Sequence, residues 1–220
     1  MTGPLATTGL PLYRAIVALD IERSTCRPNP IKGELRNKTY ELFEAALRMS
    51  GIGSCHHDPF IDRGDGILAL IHPVDQVPKA TLLNRTVPLF SRLLTDYNAS
   101  LPQRSQQQLQ LRVRVVMHAG EVHYDTNGCF GEALDVAFRL LDAARVKRAL
   151  REMADPLILI VSGDIYSSVV RQGYGGIDLE SFHQQVRVQV AGRRYPGWIH
   201  FPGYAMRNTV TQLASYRHPA

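Results

Sequence analysis

Two aspartates stand where apolar runs end. Asp20 closes Tyr13-Arg-Ala-Ile-Val-Ala-Leu19, and Asp65 sits in Asp62-Arg63-Gly64-Asp65-Gly66, between Phe60-Ile61 and Ile67-Leu-Ala-Leu-Ile71. Carboxylates are hard oxygen donors suited to divalent cations. A pair of such ions can activate an attacking hydroxyl and stabilise a triphosphate during an in-line displacement. Either residue alone means little, because aspartate is common in turns. The weight comes from whether the fold brings the two together.

The elements around them allow it. Tyr13 to Leu19 is apolar and partly β-branched, as in a buried strand. Residues 21–33 read as a polar loop, and Glu34 to Ser50 as an amphipathic helix stopped by Gly51 and Gly53. The runs flanking Asp65 form a hairpin around a glycine-containing turn. A second helix is expected from Lys79 to about Tyr97, then a Gln/Ser-rich loop from Pro102 to Gln108. Leu109 to Met117 alternates, with Leu111, Val113 and Val115 against Arg112 and Arg114, which predicts a half-exposed strand. Ala119 to His123 reads as the start of another strand. Glu132 to Arg148 reads as a third helix, Leu157 to Val161 as a buried strand, and Ser162 to Arg171 as a short Ser-capped helix. Val186–Val190 and Trp198–Phe201 close the pattern as a hairpin. The order predicts an α+β fold with a ferredoxin-like βαββαβ core and a central, mainly antiparallel sheet. In that order the first strand and the hairpin are neighbours, so Asp20 and Asp65 meet at one sheet edge.

Asp20-Ile-Glu-Arg-Ser-Thr25 resembles the first metal motif of class III nucleotidyl cyclases, and Gly64-Asp65-Gly66 before an apolar strand resembles their second. His118-Ala-Gly-Glu-Val122 is similar to the family's Gly-x-His-x-Gly-x-Val segment. Gly131-Glu-Ala-Leu-Asp-Val-Ala-Phe-Arg-Leu140 is similar to its Gly-Asp-x-x-Asn-x-x-x-Arg-Leu helix. The resemblance spans roughly residues 12–202. It implies two Mg²⁺ or Mn²⁺ ions held by Asp20, Asp65 and the Ile21 carbonyl, with Glu22, Arg23, Ser24 and Thr25 cradling the triphosphate. It gives Arg139 the task of offsetting charge in the transition state, for which a guanidinium is apt. It also implies a head-to-tail homodimer in which one chain supplies the aspartates and the other the Arg139 helix.

The departures from the family pattern bear on the base. Purine enzymes of the family read it with Lys or Glu four residues before the second aspartate, where this chain has Ile61. The second selector is Glu132, and the ribose-orienting Asn is Asp135. The late phosphate-binding Lys falls at Val190-Ala-Gly-Arg-Arg194, so Arg193 or Arg194 takes its place. Loss of the polar groups that meet a purine argues against ATP. The family's short stand-alone pyrimidine cyclases, which serve bacterial anti-phage defence, share this compact form. The expectation is therefore UTP first and CTP second, with the cyclic product acting on a downstream effector protein and a bulky Tyr40, Phe60 or Ile61 narrowing the pocket. Two alternatives stand beside it: an adenylate or guanylate cyclase, and a degenerate domain that binds nucleotide without turnover.

Composition excludes other classes. The 220 residues are 45% hydrophobic and 20% charged, which is globular, and the net charge of +5 is spread along the chain and forms no nucleic-acid-binding run. No stretch reaches the ~20 apolar residues of a membrane span, and three scattered cysteines suggest neither disulfides nor structural zinc and fit a cytoplasmic setting. His56-His57 point to opposite faces if extended, Asp62 reads as a solvated turn residue and Trp198 as core. Residues 1–11 are expected to be a leader, 12–205 the catalytic domain and 206–220 a tail.

Overall fold

The computed structural model describes residues 9–203. The expected 206–220 tail and most of the 1–11 leader lie outside them. Strand β1 (Leu12–Ile21) is followed by helix α1 (Asn29–Met49), the hairpin β2 (Ile61–Asp62) and β3 (Gly66–Ile71), and a helical run. That run comprises α2 (Lys79–Thr81), a π-helical stretch (Leu82–Thr86) and α3 (Val87–Ser100). Next come α4 (Gln103–Leu109), the long strand β4 (Val113–Asp125) and the short β5 (Gly128–Phe130). The chain continues with α5 (Glu132–Leu141), α6 (Ala144–Glu152), β6 (Leu157–Ser162) and α7 (Gly163–Ile165) with a further π-helical turn (Tyr166–Val170). Strands β7 (His183–Val190) and β8 (Arg193–His200) complete it.

The sheet runs β2-β3-β1-β4-β6-β8-β7, with β5 paired to β4. Its first four strands have the ferredoxin-like order expected from the sequence, and among the described strands only β4 and β6 pair in parallel. Alternation along the strands divides the core into two layers. Val17, Leu19, Ile67, Val115 and Leu159 pack under α1 and α3. Ile16, Ala18, Leu68, Val116 and Ile160 pack under α5 and α6. Both faces are thus covered, which the strand pattern at Leu109–Met117 did not anticipate. Val116 is fully buried and Arg114 is 9% exposed, so β4 is not half-exposed. It also continues through Ala119–His123 as one strand of 13 residues.

Three other expectations are corrected. Residues 102–108 are not a loop but largely helix α4, which starts after Pro102, where a proline's fixed φ suits a helix start. Helix α1 begins at Asn29, with Pro30 in its first turn. The helix expected over 132–148 breaks at Asp142–Ala143, where Ala143 adopts ψ 132°. After the buried pair Leu140–Leu141, the next helical register falls on Ala144 and Arg145, which are exposed. Breaking there lets Val146, Ala149 and Leu150 re-enter the core.

A candidate active site at the end of the first strand

Strand register builds the site. Asp20 lies opposite Gly66 on β3 and opposite Arg114 on β4. The backbone N–H of Ile21 donates to the Asp65 carbonyl (3.0 Å), which ties the β2–β3 turn to the end of β1. Gly66 is obligatory at this crossing, because a Cβ there would lie 2.2 Å from the Leu19 carbonyl oxygen. Gly64 supplies the turn's positive φ of 80°. Asp62 caps the same turn by accepting from the Gly64 N–H (2.9 Å) and pairs with Arg36 (2.7 Å). Arg63 lies over the Phe138 ring, 3.8 Å from its centroid, and so pins the turn to α5.

Asp20, Ile21, Asp65 and the 22–25 loop line one open cavity of about 460 Å³. Arg23 at the loop's start is left-handed, with φ 58°, and Ser24–Cys26 form a 3₁₀ turn, so the loop curls over the cavity. Glu22 is held by Arg112 at 3.0 Å. The sequence reading missed Arg114. Its guanidinium pairs with the Asp20 carboxylate, and both side chains are mostly buried, at 10% and 17% exposure. Desolvation by burial lowers the Arg114 pKa, and Asp142 opposes that shift. Asp20 Oδ1 and Arg114 Nε nevertheless remain buried without a hydrogen-bond partner. The pairing comes from register: Ile16, Ala18 and Asp20 share one face of β1, and Arg114 lies level with Asp20 on β4.

The remaining expected residues lie elsewhere on the chain. Glu132, Asp135 and Arg139 share the exposed face of α5, and Arg139 is not among the residues lining the aspartate cavity. Glu132 accepts a hydrogen bond from the Tyr195 hydroxyl. Asp135 borders a separate groove with Phe138 and Ala191. Arg193 and Arg194 open β8 after a two-residue turn in which Ala191 and Gly192 both have positive φ. Ile61 pairs with Leu68 and packs against the α5–α6 layer. Tyr40 and Phe60 instead pack with Phe43 beneath α1, with ring centroids 6.3 Å and 5.7 Å from Phe60. Both rings pack, partly buried, against the α1 side of the core. His56 accepts from the Gly53 N–H, His57 stacks on Phe60, and Trp198 stacks on Tyr166 at 4.1 Å. Buried His118 bonds Ser162 Oγ at 2.8 Å, which gives it a structural task.

Among the described residues no group of three or more His, Cys, Asp or Glu side chains is arranged to hold a metal. Two carboxylates beside a backbone carbonyl are a different donor set. The orphaned Asp20 Oδ1 and the all-oxygen character of that set fit Mg²⁺ or Mn²⁺. No described helix is long and apolar enough to cross a membrane.

The fold is similar to that of solved adenylyl and guanylyl cyclase domains. The chain is similar to an adenylate/guanylate cyclase/hydrolase from Silicibacter pomeroyi, with TM-score 0.56 and 18% identity over 86% of this chain and 96% of that one. It is similar to the adenylyl cyclase CyaB from P. aeruginosa, with TM-score 0.55 and 12% identity over 85% and 92%. It is also similar to the non-canonical dimeric guanylyl cyclase domain of the RhoGC fusion protein from the aquatic fungus Blastocladiella emersonii, with TM-score 0.51 and 15% identity over 87% and 98%. No family model matches the chain, and no curated protein matches its sequence.

Proposed function

We propose that the chain is a nucleotidyl cyclase that converts a nucleoside triphosphate to a 3′,5′-cyclic monophosphate and pyrophosphate. The observation that carries the reading is the convergence of Asp20, Asp65 and the 22–25 loop on one cavity. Two divalent ions bound there would supply Lewis-acid chemistry, lowering the pKa of the 3′-hydroxyl and offsetting phosphate charge. Asp20 and Asp65 hold the reacting end of the substrate in register, because β1 and the hairpin are locked together at Gly66. The 22–25 loop orients the phosphates. Arg114 leaves Asp20 when substrate binds and turns its five donors to phosphate oxygens.

The exposed face of α5 completes the site in a head-to-tail homodimer. Glu132, Asp135 and Arg139 of one chain then approach the partner's aspartates, and Arg139 offsets the charge that develops as pyrophosphate leaves. Within one chain these residues lie apart from the aspartate cavity, as a site shared between chains requires. Arg193, at the β7–β8 turn, belongs with this second half.

For the base we favour UTP, then CTP. Ile61 offers no hydrogen-bond group, and the Glu132 carboxylate is engaged by Tyr195. A second reading, adenylate or guanylate cyclase, is favoured by the structural neighbours, whose names carry those activities. With a pyrimidine product, we further propose a cytoplasmic enzyme whose cyclic nucleotide signals phage infection to an effector protein. The degenerate nucleotide-binding module is disfavoured, because Asp65 and the orphaned Asp20 Oδ1 lie on one cavity, an oxygen donor set suited to a divalent cation. The test is incubation with each of the four ribonucleoside triphosphates and Mn²⁺, with products identified by mass spectrometry. Cyclic UMP or CMP supports the pyrimidine reading. A cyclic purine overturns it and keeps the mechanism. No product from folded dimer favours the binding module.

A further inference from the structure

One wall of the aspartate cavity comes from an element that the site motifs do not include. Helix α6 buries Val146 and Leu150 completely, and this pair four residues apart fixes the rotation of the helix. The rotation places Lys147 and Arg151, also four apart, on the cavity. Like charges at that spacing repel each other on a helix, so an anion between them is favoured. Lys147 reaches Asp142 at 3.0 Å, and Asp142 lies 4.0 Å from Arg114, itself paired with Asp20. A line of alternating charge therefore runs from Asp20 to α6. Arg151 is close enough to Arg114 to lower its pKa further. The cavity wall carries five cationic side chains against four carboxylates, an arrangement matched to a polyphosphate.

We propose that Lys147 and Arg151 grip the terminal phosphates of the substrate from the same chain as the aspartates. The proposal rests on the cyclase reading. The reacting phosphate sits at Asp20, and the chain of phosphates extends past Arg114 to α6. Arg193 and Arg194 are then not needed for the same-chain contact, since they lie beyond β6 at the other end of the sheet.

The test is calorimetric titration of the folded protein with inorganic tripolyphosphate in Mn²⁺. The Lys147→Ala/Arg151→Ala variant should bind about tenfold more weakly, about 1.4 kcal/mol, with a flatter salt dependence. Lys147→Arg/Arg151→Lys should recover most of the loss. Arg148→Ala, on the same helix but not lining the cavity, should bind as wild type. In turnover the double alanine variant should raise KM while largely preserving kcat. Binding by the double variant equal to wild type overturns the α6 grip and leaves the cyclase reading standing. Failure of the wild-type protein to bind tripolyphosphate overturns the phosphate-site reading and the grip with it.

Discussion

Replacing Arg114 with methionine removes the cation that neutralises Asp20 in the metal-free protein. Breaking a buried ion pair by deleting one partner costs about 3–5 kcal/mol. Asp20 is 17% exposed and Arg114 10%, so water recovers part of the charge and about 2–3 kcal/mol is expected. For a chain of this size that is a fall of about 5–10 °C in Tm. The loss should be reversible by metal. With Arg114 gone, nothing competes for the Asp20 carboxylate, and a cation at a hundred times its Kd restores about 2.7 kcal/mol. In the wild-type protein the same cation must displace Arg114, so its stabilisation is smaller. The assay is thermal unfolding of wild type, Arg114→Met and Arg114→Met/Asp20→Asn, each with and without Mn²⁺. Without metal the double variant should be more stable than the single one. The reasoning is refuted if Arg114→Met matches wild type without metal, or if Mn²⁺ raises both by the same amount.

Asp20→Ala and Arg139→Ala should each abolish turnover, and mixing the two inactive proteins should restore about a quarter of wild-type activity. Half of the random dimers are mixed, and each mixed dimer carries one intact site. Mixtures that stay inactive while subunits exchange would rule out the shared site. Elsewhere, Asp58 fastens the 51–60 segment to the sheet. Burial raises its pKa, but hydrogen bonds from Arg14, Tyr124 and His72 outweigh that and bring it to about 2. A depressed folded-state pKa stabilises above the unfolded value near 4, and that stability is lost as pH falls from about 4 to 2. With solvent screening, about 1–2 kcal/mol is expected. Asp58→Asn should lose it at pH 7 and show a flatter urea midpoint between pH 4 and 2.5; an unchanged midpoint at pH 7 would contradict this.

The fold's central strands were legible because apolar runs stopped at polar chemistry. The run before Asp20 and the glycines around Asp65 each permit little besides a strand end and a tight turn, and their order places them side by side. Arg114 was not legible for a local reason. Alternation of Val113 and Val115 with Arg112 and Arg114 looks the same whether the polar face meets water or a facing carboxylate, and only the register with β1 distinguishes them. The helix break at Asp142 was hidden because the residues on either side all favour helix; what breaks it is the core's demand for Val146 over Arg145. The π-helical stretches at Leu82–Thr86 and Tyr166–Val170 carry no residue signature, and the packing that sets them is tertiary. Helix α5 was legible from Glu132 to Leu141, and what its exposed Glu132, Asp135 and Arg139 face is not encoded in their spacing.

The central claim is that Asp20 and Asp65 direct an intramolecular displacement at phosphorus. Phosphorus NMR of the reaction, with wild-type protein beside Asp65→Asn, tests it most directly. The account predicts one pyrophosphate for each 3′,5′-cyclic phosphodiester in the wild-type reaction, and unchanged triphosphate with the folded variant. Release of orthophosphate without a cyclic product, or equal turnover by Asp65→Asn, would contradict it.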